Sequence, residues 1–247
     1  MRTIVLVTIA TILSFVFTSR ILAENRLKAR VGYNIGGTAP LVIPASIRSI
    51  DAYRLKPSLM VGADMTMPLR GQWSILTGLR FENKGMDTEV TTKSYRMELK
   101  KGDSQINGLF TGHIKQEVTQ WMLTLPMMAA YKPCNSLTLH AGPYFSFLIS
   151  DDFSGIASNG YIRQGDPTGP KIEIGNKDGE WATYDFSDEL RFFQWGFSVG
   201  VDWLLQQRVG ISVDMNWGCS GIFKSDFKTV EQTLYPIYGT LGVFYQF

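Results

Sequence analysis

The feature that most constrains this chain is a strict two-residue alternation in its C-terminal part. In residues 235–247 every odd-numbered position, from Tyr235 to Phe247, is apolar or glycine, whereas the positions between them are mixed. Residues 193–203 and 209–217 repeat the pattern, with aromatic side chains at or near their ends. Successive side chains of a strand point to opposite faces, so this period predicts three strands that share one continuous apolar face.

Five earlier segments alternate in the same way but less regularly, at residues 27–36, 58–69, 73–82, 121–131 and 137–147. Together with the C-terminal segments they predict eight strands of about ten residues, which is the length that a tilted strand needs to cross a bilayer. Beyond residue 23 no apolar run approaches the roughly 18 residues of a membrane-spanning helix. Any membrane insertion by this part of the chain must therefore use strands.

The connections between these strands alternate in length. Short connections occupy residues 70–72, 132–136 and 204–208, and long ones occupy residues 37–57, 83–120, 148–192 and 219–234. Short turns at one end and long loops at the other are typical of outer-membrane barrels. The sequence thus predicts an all-β fold, an eight-stranded antiparallel up-and-down transmembrane β-barrel with short periplasmic turns and long extracellular loops.

A soluble lipocalin-like barrel is the main structural alternative, because it also has eight antiparallel strands and follows a signal peptide. In that class the apolar positions line a ligand cavity and the polar positions face water. In this chain the apolar face is continuous and flanked by aromatic residues, which favours contact with lipid. We therefore expect the polar face to point into the barrel and outer-membrane lipid to surround it.

Residues 1–23 have the features of a secretory signal peptide, with Arg2 before an apolar core and Ala23 at the end. The predicted organisation is a signal peptide at 1–23 and one barrel domain at 24–247. The whole chain has 24 Lys and Arg against 22 Asp and Glu, and removal of Arg2 and Arg20 leaves the remainder neutral. Such a balance does not favour binding to nucleic acid.

Seven charged residues fall on the face predicted to line the barrel. They are Lys28, Arg30, Asp64, Arg80, Glu82, Asp202 and Asp214. An eight-stranded barrel encloses a space that side chains can fill, and unpaired charge is costly there. We expect opposite charges to pair, with Arg30 and Asp64 as the preferred pair. A plug of ion pairs and a narrow polar pathway are both compatible with this set.

The chain ends in Phe247, preceded by Tyr245, Val243 and Leu241 at every second position. This pattern resembles the C-terminal signal by which the outer-membrane insertion machinery recognises its clients. The chain also resembles the PorT-like outer-membrane β-barrel family, through the motifs Asn83-Lys84-Gly85, Leu123-Thr124-Leu125-Pro126 and Ala141-Gly142-Pro143-Tyr144. The resemblance implies a barrel whose relatives include components of a protein-secretion apparatus.

Pro126 lies inside the predicted fourth strand. Proline cannot donate a ladder hydrogen bond, and a closed barrel has no free edge where that loss would be harmless. We therefore expect a local β-bulge at Pro126.

Catalytic, metal-binding and cofactor-binding sites are not indicated. His113 lies in a long outer loop without an adjacent serine and acid pattern, and His140 faces the lumen, where packing and hydrogen bonding account for it. Cys134 falls in a periplasmic turn and Cys219 at the outer end of the seventh strand, too far apart for a disulfide. We expect two unpaired thiols and no cofactor.

The outer loops are the remaining candidates for function. Residues 148–190 hold nine acidic residues against three basic ones. Within them, Asp178-Gly179 between two alternating segments predicts the tip of a hairpin that stands above the membrane. The function best supported by the sequence is a non-enzymatic scaffold or secretion-associated barrel with an envelope protein as partner. A narrow porin-like channel is the alternative, and a lipid-modifying enzyme is less well supported.

Overall fold

The computed structural model of the protein describes residues 26–40, 43–101, 104–177, 179–227, 229–230 and 232–247. The predicted signal peptide lies outside these residues. The described chain folds into eleven strands and one 3-10 turn at Ser187–Glu189. The strands are β1 Arg26–Pro40, β2 Ile47–Leu55, β3 Leu59–Pro68, β4 Trp73–Lys101, β5 Ser104–Cys134, β6 Leu137–Gln164, β7 Lys171–Ile174, β8 Ala182–Asp185, β9 Phe193–Leu204, β10 Val209–Gly218 and β11 Leu234–Gln246.

Eight of these strands form a closed antiparallel ring. The ring runs β1, β3, β4, β5, β6, β9, β10, β11 and returns to β1. The closing ladder pairs Val31 with Val243 and extends from Lys28 to Pro40 on β1. The eight-stranded barrel expected from the sequence is confirmed. One end, which we call the turn end, carries the short β3–β4, β5–β6 and β9–β10 connections; the other is the loop end.

The two faces of the wall have opposite character. In the part of the eight strands that forms the ring, even-numbered positions point into the barrel, as Asp214 does with 1% of its surface exposed, whereas the neighbouring Val213 is 49% exposed. The outward face is apolar, and aromatic side chains border it toward the turn end and toward the loop end. Trp73 contacts Tyr131 near the turn end, with ring centroids 4.9 Å apart. This polarity is the reverse of a lipocalin and suits a wall surrounded by hydrocarbon.

Beyond the ring, the long connections are largely strands rather than loops. β4 and β5 are 29 and 31 residues long and pair almost throughout. β6 is 28 residues long, and β2, β7 and β8 pair with the upper parts of β4 and β6. We call this part of the molecule the outer extension. It encloses a buried apolar core that includes Phe110, Phe153 and Phe186.

The prediction of a hairpin at Asp178-Gly179 is wrong. β7 and β8 do not pair with each other; both pair with β6, at Lys171–Ile174 and Ala182–Asp185. Asp178 itself lies outside the described residues, and Gly175 and Glu180 close a small loop between the two strands. The upper part of β6 offers an edge that β9 does not reach, so the two short strands complete that edge instead.

The prediction of a β-bulge at Pro126 is also wrong. Pro126 stays in register with Tyr144 on β6, and the β5–β6 shift nearest to it lies between Trp121 and Met122. On the β4 side, ladder pairs are missing opposite Pro126. The β4–β5 register is nevertheless the same before and after this gap. The barrel thus accommodates the lost hydrogen bond without an inserted residue, because neighbouring rungs hold the register.

Within the described residues, no helix has the length and apolar composition needed to cross a membrane.

Candidate functional site

The barrel interior, or lumen, is occupied by a charge network centred on Arg30. Its Nε lies 2.8 Å from Asp64 Oδ2, so the ion pair expected between these two residues is present. Its Nη1 lies 3.1 Å from Asp214 Oδ2, and its Nη2 lies 3.2 Å from Asp202 Oδ1. One guanidinium therefore contacts three carboxylates from β3, β9 and β10. A planar group with several donors suits this arrangement better than a lysine ammonium would.

Each of these carboxylates has a second partner, which joins the contacts into one network. The second contacts are Lys28 Nζ with Asp202 Oδ2 at 2.7 Å, Arg80 Nη2 with Asp64 Oδ2 at 3.0 Å and His140 Nε2 with Asp214 Oδ1 at 2.6 Å. All the residues are buried. The strands of the ring thus hold one another through side chains as well as through backbone ladders.

A second group of contacts lies nearer the loop end, around Glu82. Lys84 Nζ lies 3.0 Å from Glu82 Oε1, and the Thr124 hydroxyl donates to the same oxygen at 2.6 Å. The Lys84 ammonium also lies 5.5 Å from the ring centres of Tyr144 and Tyr238. These rings give the cation a favourable surface away from water.

The structure places all seven charged residues expected in the lumen on the buried face, and it adds Lys84. The sequence contained a signal for Lys84, because the alternation of Arg80 and Glu82 continues to it, but the predicted strand ended at Glu82. With Lys84 the buried network holds four basic and four acidic side chains, so its formal charge is balanced without His140. A balanced network keeps each buried charge near an opposite one.

The C-terminal residues lie on the outward face of the last strand. Leu241, Val243, Tyr245 and Phe247 are between 38% and 69% exposed. Phe247 is fixed by its backbone N–H, which donates to the Leu27 carbonyl at 3.0 Å, and its ring packs edge-on against Tyr245. The side chains of the expected insertion signal are therefore accessible from the membrane side.

A cavity of about 340 Å³ opens at the turn end, and we call it the vestibule. Arg26, Lys28 and Lys132 line it, whereas the acid among its lining residues is Asp202, which already contacts Lys28 and Arg30. Lys132 lies past the aromatic ring of Tyr131, outside the membrane-spanning part of β5. Burial, together with the charges of Arg26 and Lys28, lowers the pKa of Lys132. Among the described residues that line it, three cations thus face one acid that is already paired, so this lining is electropositive.

The outer extension brings His113 to side chains that the sequence did not place beside it. Asp51 accepts hydrogen bonds from Ser49 Oγ and Thr91 Oγ1, each at 2.6 Å, and these bonds lower the pKa of Asp51. His113 Nδ1 lies 3.1 Å from the Thr91 hydroxyl. Because Thr91 gives its one proton to Asp51, His113 is not placed to activate that hydroxyl as a nucleophile.

His140, the other histidine, contacts Asp214 inside the lumen, and its side chain is completely buried. Across the part of the chain that the structure describes, no group of three or more His, Cys, Asp or Glu side chains is arranged to hold a metal ion.

Residues 22–224 match a family model described as the outer membrane protein beta-barrel domain. The chain belongs to this family. The outer-membrane barrel therefore lies in the outer membrane of a bacterium, with its apolar belt in lipid. Its loop end faces the outside of the cell and its turn end the periplasm. No curated protein matches the sequence.

Several solved structures are similar to this outer-membrane barrel. Ail of Yersinia pestis, solved with the heparin analogue sucrose octasulfate, is 8% identical with a TM-score of 0.40, and the match covers 91% of this chain and 99% of Ail. OprG of Pseudomonas aeruginosa is 10% identical with a TM-score of 0.33, over 91% and 96% of the two chains. Neisserial surface protein A is 10% identical with a TM-score of 0.31, over 91% and 98%. At these identities the likeness concerns the fold alone.

Proposed function

We propose that this barrel is a non-enzymatic component of the outer membrane that acts through its two ends rather than through its interior. The observation that carries the proposal is the balanced charge network. Arg30, Asp64 and Asp214 have side chains with no exposed surface, so they fill the lumen at their level. A solute pathway or a catalytic pocket inside the ring would have to displace these contacts. The surfaces left for function are the vestibule and the outer extension.

The vestibule supports a partner of defined chemistry. Arg26 and Lys132 add positive charge at the periplasmic rim, and Asp202, the acid among the described lining residues, is already paired with Lys28. An acidic segment of a periplasmic or envelope protein would neutralise these cations and raise the lowered pKa of Lys132. This role agrees with the secretion-associated function that the PorT-like resemblance implies.

A narrow channel for small solutes is the competing function, and conductance separates the two. We expect the purified protein in a planar bilayer to give no stable, defined conductance steps, because the ion pairs of Arg30 close the lumen. Reproducible steps of one size from the unmodified protein would favour the channel and contradict the proposal.

The partner is tested by chemical cross-linking in cells, followed by purification of the barrel in mild detergent. We expect a cross-linked partner that is lost in the double variant Arg26→Glu, Lys132→Glu, which reverses the charge of the vestibule. Arg70→Glu is the matched control, because Arg70 is exposed in the β3–β4 turn at the same end but does not line the vestibule. Equal recovery of the partner from the double variant and from the control would rule out the vestibule as its binding site.

A further inference from the structure

The barrel wall is interrupted at the loop end, between β1 and β2. β1 pairs with β3 as far as Tyr33 and Leu59, and one more backbone bond joins Asn34 N–H to the Ser58 carbonyl at 2.7 Å. Above that level β1 pairs with β11 alone, and β2 pairs with β4 alone. Among the described residues no backbone ladder joins β1 to β2. We call this gap the seam.

Side chains close the seam. The Thr38 backbone N–H, which points across it, donates to Met86 Sδ at 3.2 Å, and a thioether is a weak acceptor. The Tyr53 side chain extends from β2 to β1 and places its hydroxyl against Gly37. A Cβ atom at position 37 would overlap this hydroxyl. Side chains change rotamer in about picoseconds to nanoseconds when exposed, and Tyr53 is 47% exposed. The seam can therefore open without breaking a backbone ladder.

An apolar cavity of about 180 Å³ lies behind the seam. Ile50, Val90 and Ile114 line it from β2, β4 and β5, and Phe153, Phe186 and Leu234 line it from the core of the outer extension. A dry cavity of about 150 Å³ with similar walls is large enough to bind benzene. The cavity thus has room for a hydrocarbon group of about six carbon atoms by the same measure.

The membrane itself is the source of hydrocarbon nearest to the seam. Below it, Ile35 on one side and Leu55 and Leu59 on the other are 41%, 43% and 56% exposed. These side chains continue the lipid-facing belt up to Tyr53 and the mouth of the cavity. We propose that the end of an acyl chain from an outer-leaflet lipid enters through the seam and occupies this cavity. The proposal is independent of any periplasmic partner.

Photolabelling in lipid tests the proposal directly. The full-length protein is placed in phospholipid nanodiscs whose lipid carries a diazirine on the last carbon of one acyl chain, irradiated, digested and mapped by mass spectrometry. We expect labelling of cavity residues of β4 and of the Phe153 and Phe186 segments, in addition to the lipid-facing belt. Labelling confined to the belt would overturn the proposal.

Two variants sharpen the result. Val90→Trp places an indole in the cavity and is expected to reduce labelling of the remaining cavity residues about tenfold, which corresponds to 1.4 kcal/mol of lost occupancy. Val213→Trp is the matched control, because Val213 is an outward valine of β10 in the belt, and it should leave cavity labelling unchanged. Undiminished cavity labelling in Val90→Trp would contradict the proposal.

Tyr53→Ala tests the route of entry, because Tyr53 spans the seam and lines the cavity at its mouth, whereas the walls formed by Phe153 and Phe186 keep their side chains. Removal of the side chain that spans the seam should increase the labelling of the cavity at short irradiation times. An unchanged or lower yield would show that the seam is not the route. A free fatty acid with the same diazirine, added to the protein in detergent, distinguishes the sources. Cavity labelling by the fatty acid but not by the phospholipid would overturn a membrane lipid as the occupant.

Discussion

At the scale of single residues, Arg30 makes the largest number of ion pairs in the lumen network. It contacts three carboxylates, and its own side chain has no exposed surface. Removing one member of a buried ion pair leaves its partner charged and poorly solvated. The stability of the network therefore depends more on Arg30 than on Lys28 or Arg80, which each contact one of these carboxylates.

We predict that Arg30→Met destabilises the folded barrel by about 3–5 kcal/mol, because three carboxylates lose a shared cation. Urea unfolding of the protein in lipid vesicles measures the change. Arg26→Met removes an exposed cation near the same end of β1 and should change stability by no more than about 0.5 kcal/mol.

The double variant Arg30→Met, Asp202→Asn restores a balanced set of buried charges and should recover part of the loss. If Arg30→Met unfolded at the same urea concentration as the unmodified protein, the network would contribute nothing to stability.

At the scale of elements, the division into short turns and long outer strands fixes which side of the membrane each segment reaches. The two cysteines report on this division. Cys134 ends β5 at the turn end, and Cys219 follows β10 at the loop end. Both thiols are free and exposed.

We predict that a large maleimide, coupled to a polymer that does not cross the outer membrane, modifies Cys219 alone on intact cells. Disruption of the outer membrane should add Cys134 as a second site. The mass shift on a denaturing gel counts the adducts, and the variants Cys134→Ser and Cys219→Ser assign them. Modification of Cys134 on intact cells would mean that the turn end, rather than the loop end, faces the outside of the cell.

At the scale of the whole molecule, the chain becomes a barrel when its last strand pairs with its first. The β1–β11 ladder joins residues that are more than 190 positions apart, such as Val31 and Val243. Such a long-range pairing forms slowly, because the loop between the partners must first be ordered. Help from the insertion machinery at the C-terminal strand would therefore act on the step that closes the ring.

We predict that Phe247→Ala lowers the amount of barrel in the outer membrane of cells several-fold but barely changes the stability of protein refolded in vitro. The Phe247 ring is 69% exposed, so the fold itself gains little from it, whereas a receptor could still bind it. Quantitative blotting of outer-membrane fractions and urea unfolding give the two values. Equal loss in both measurements would mean that Phe247 serves packing rather than recognition.

The regular alternation explains how much of the fold and of the lumen network could be predicted from the sequence. Val213 beside Asp214 and Leu241 beside Thr240 assign each side chain to a face, because period two leaves only two choices. The same rule placed Arg30 and Asp64 inside and allowed their pairing to be expected. In residues 83–120 the alternation is weaker, and β4 and β5 continue outward through most of this connection.

The segments that were misread depend on neighbours distant in the chain. Thr183 pairs with Ile156 of β6 rather than with β7, because an incomplete edge of β6 was available. Pro126 keeps its register because the rungs around it are held from both sides. Asp51 and Thr91 meet His113 only because β2 and β5 both pair with β4. None of these pairings has a local signature.

The sequence by itself determined the strands of the ring, their inward and outward faces and the sign of the charge at each lumen position. Those properties follow from a two-residue period that each strand carries within itself. Only the tertiary structure decided that Arg30 serves three carboxylates, that Lys84 balances the network and that a seam separates β1 from β2. Contacts of this kind depend on which strands become neighbours and in what register, and that is settled when the ring closes.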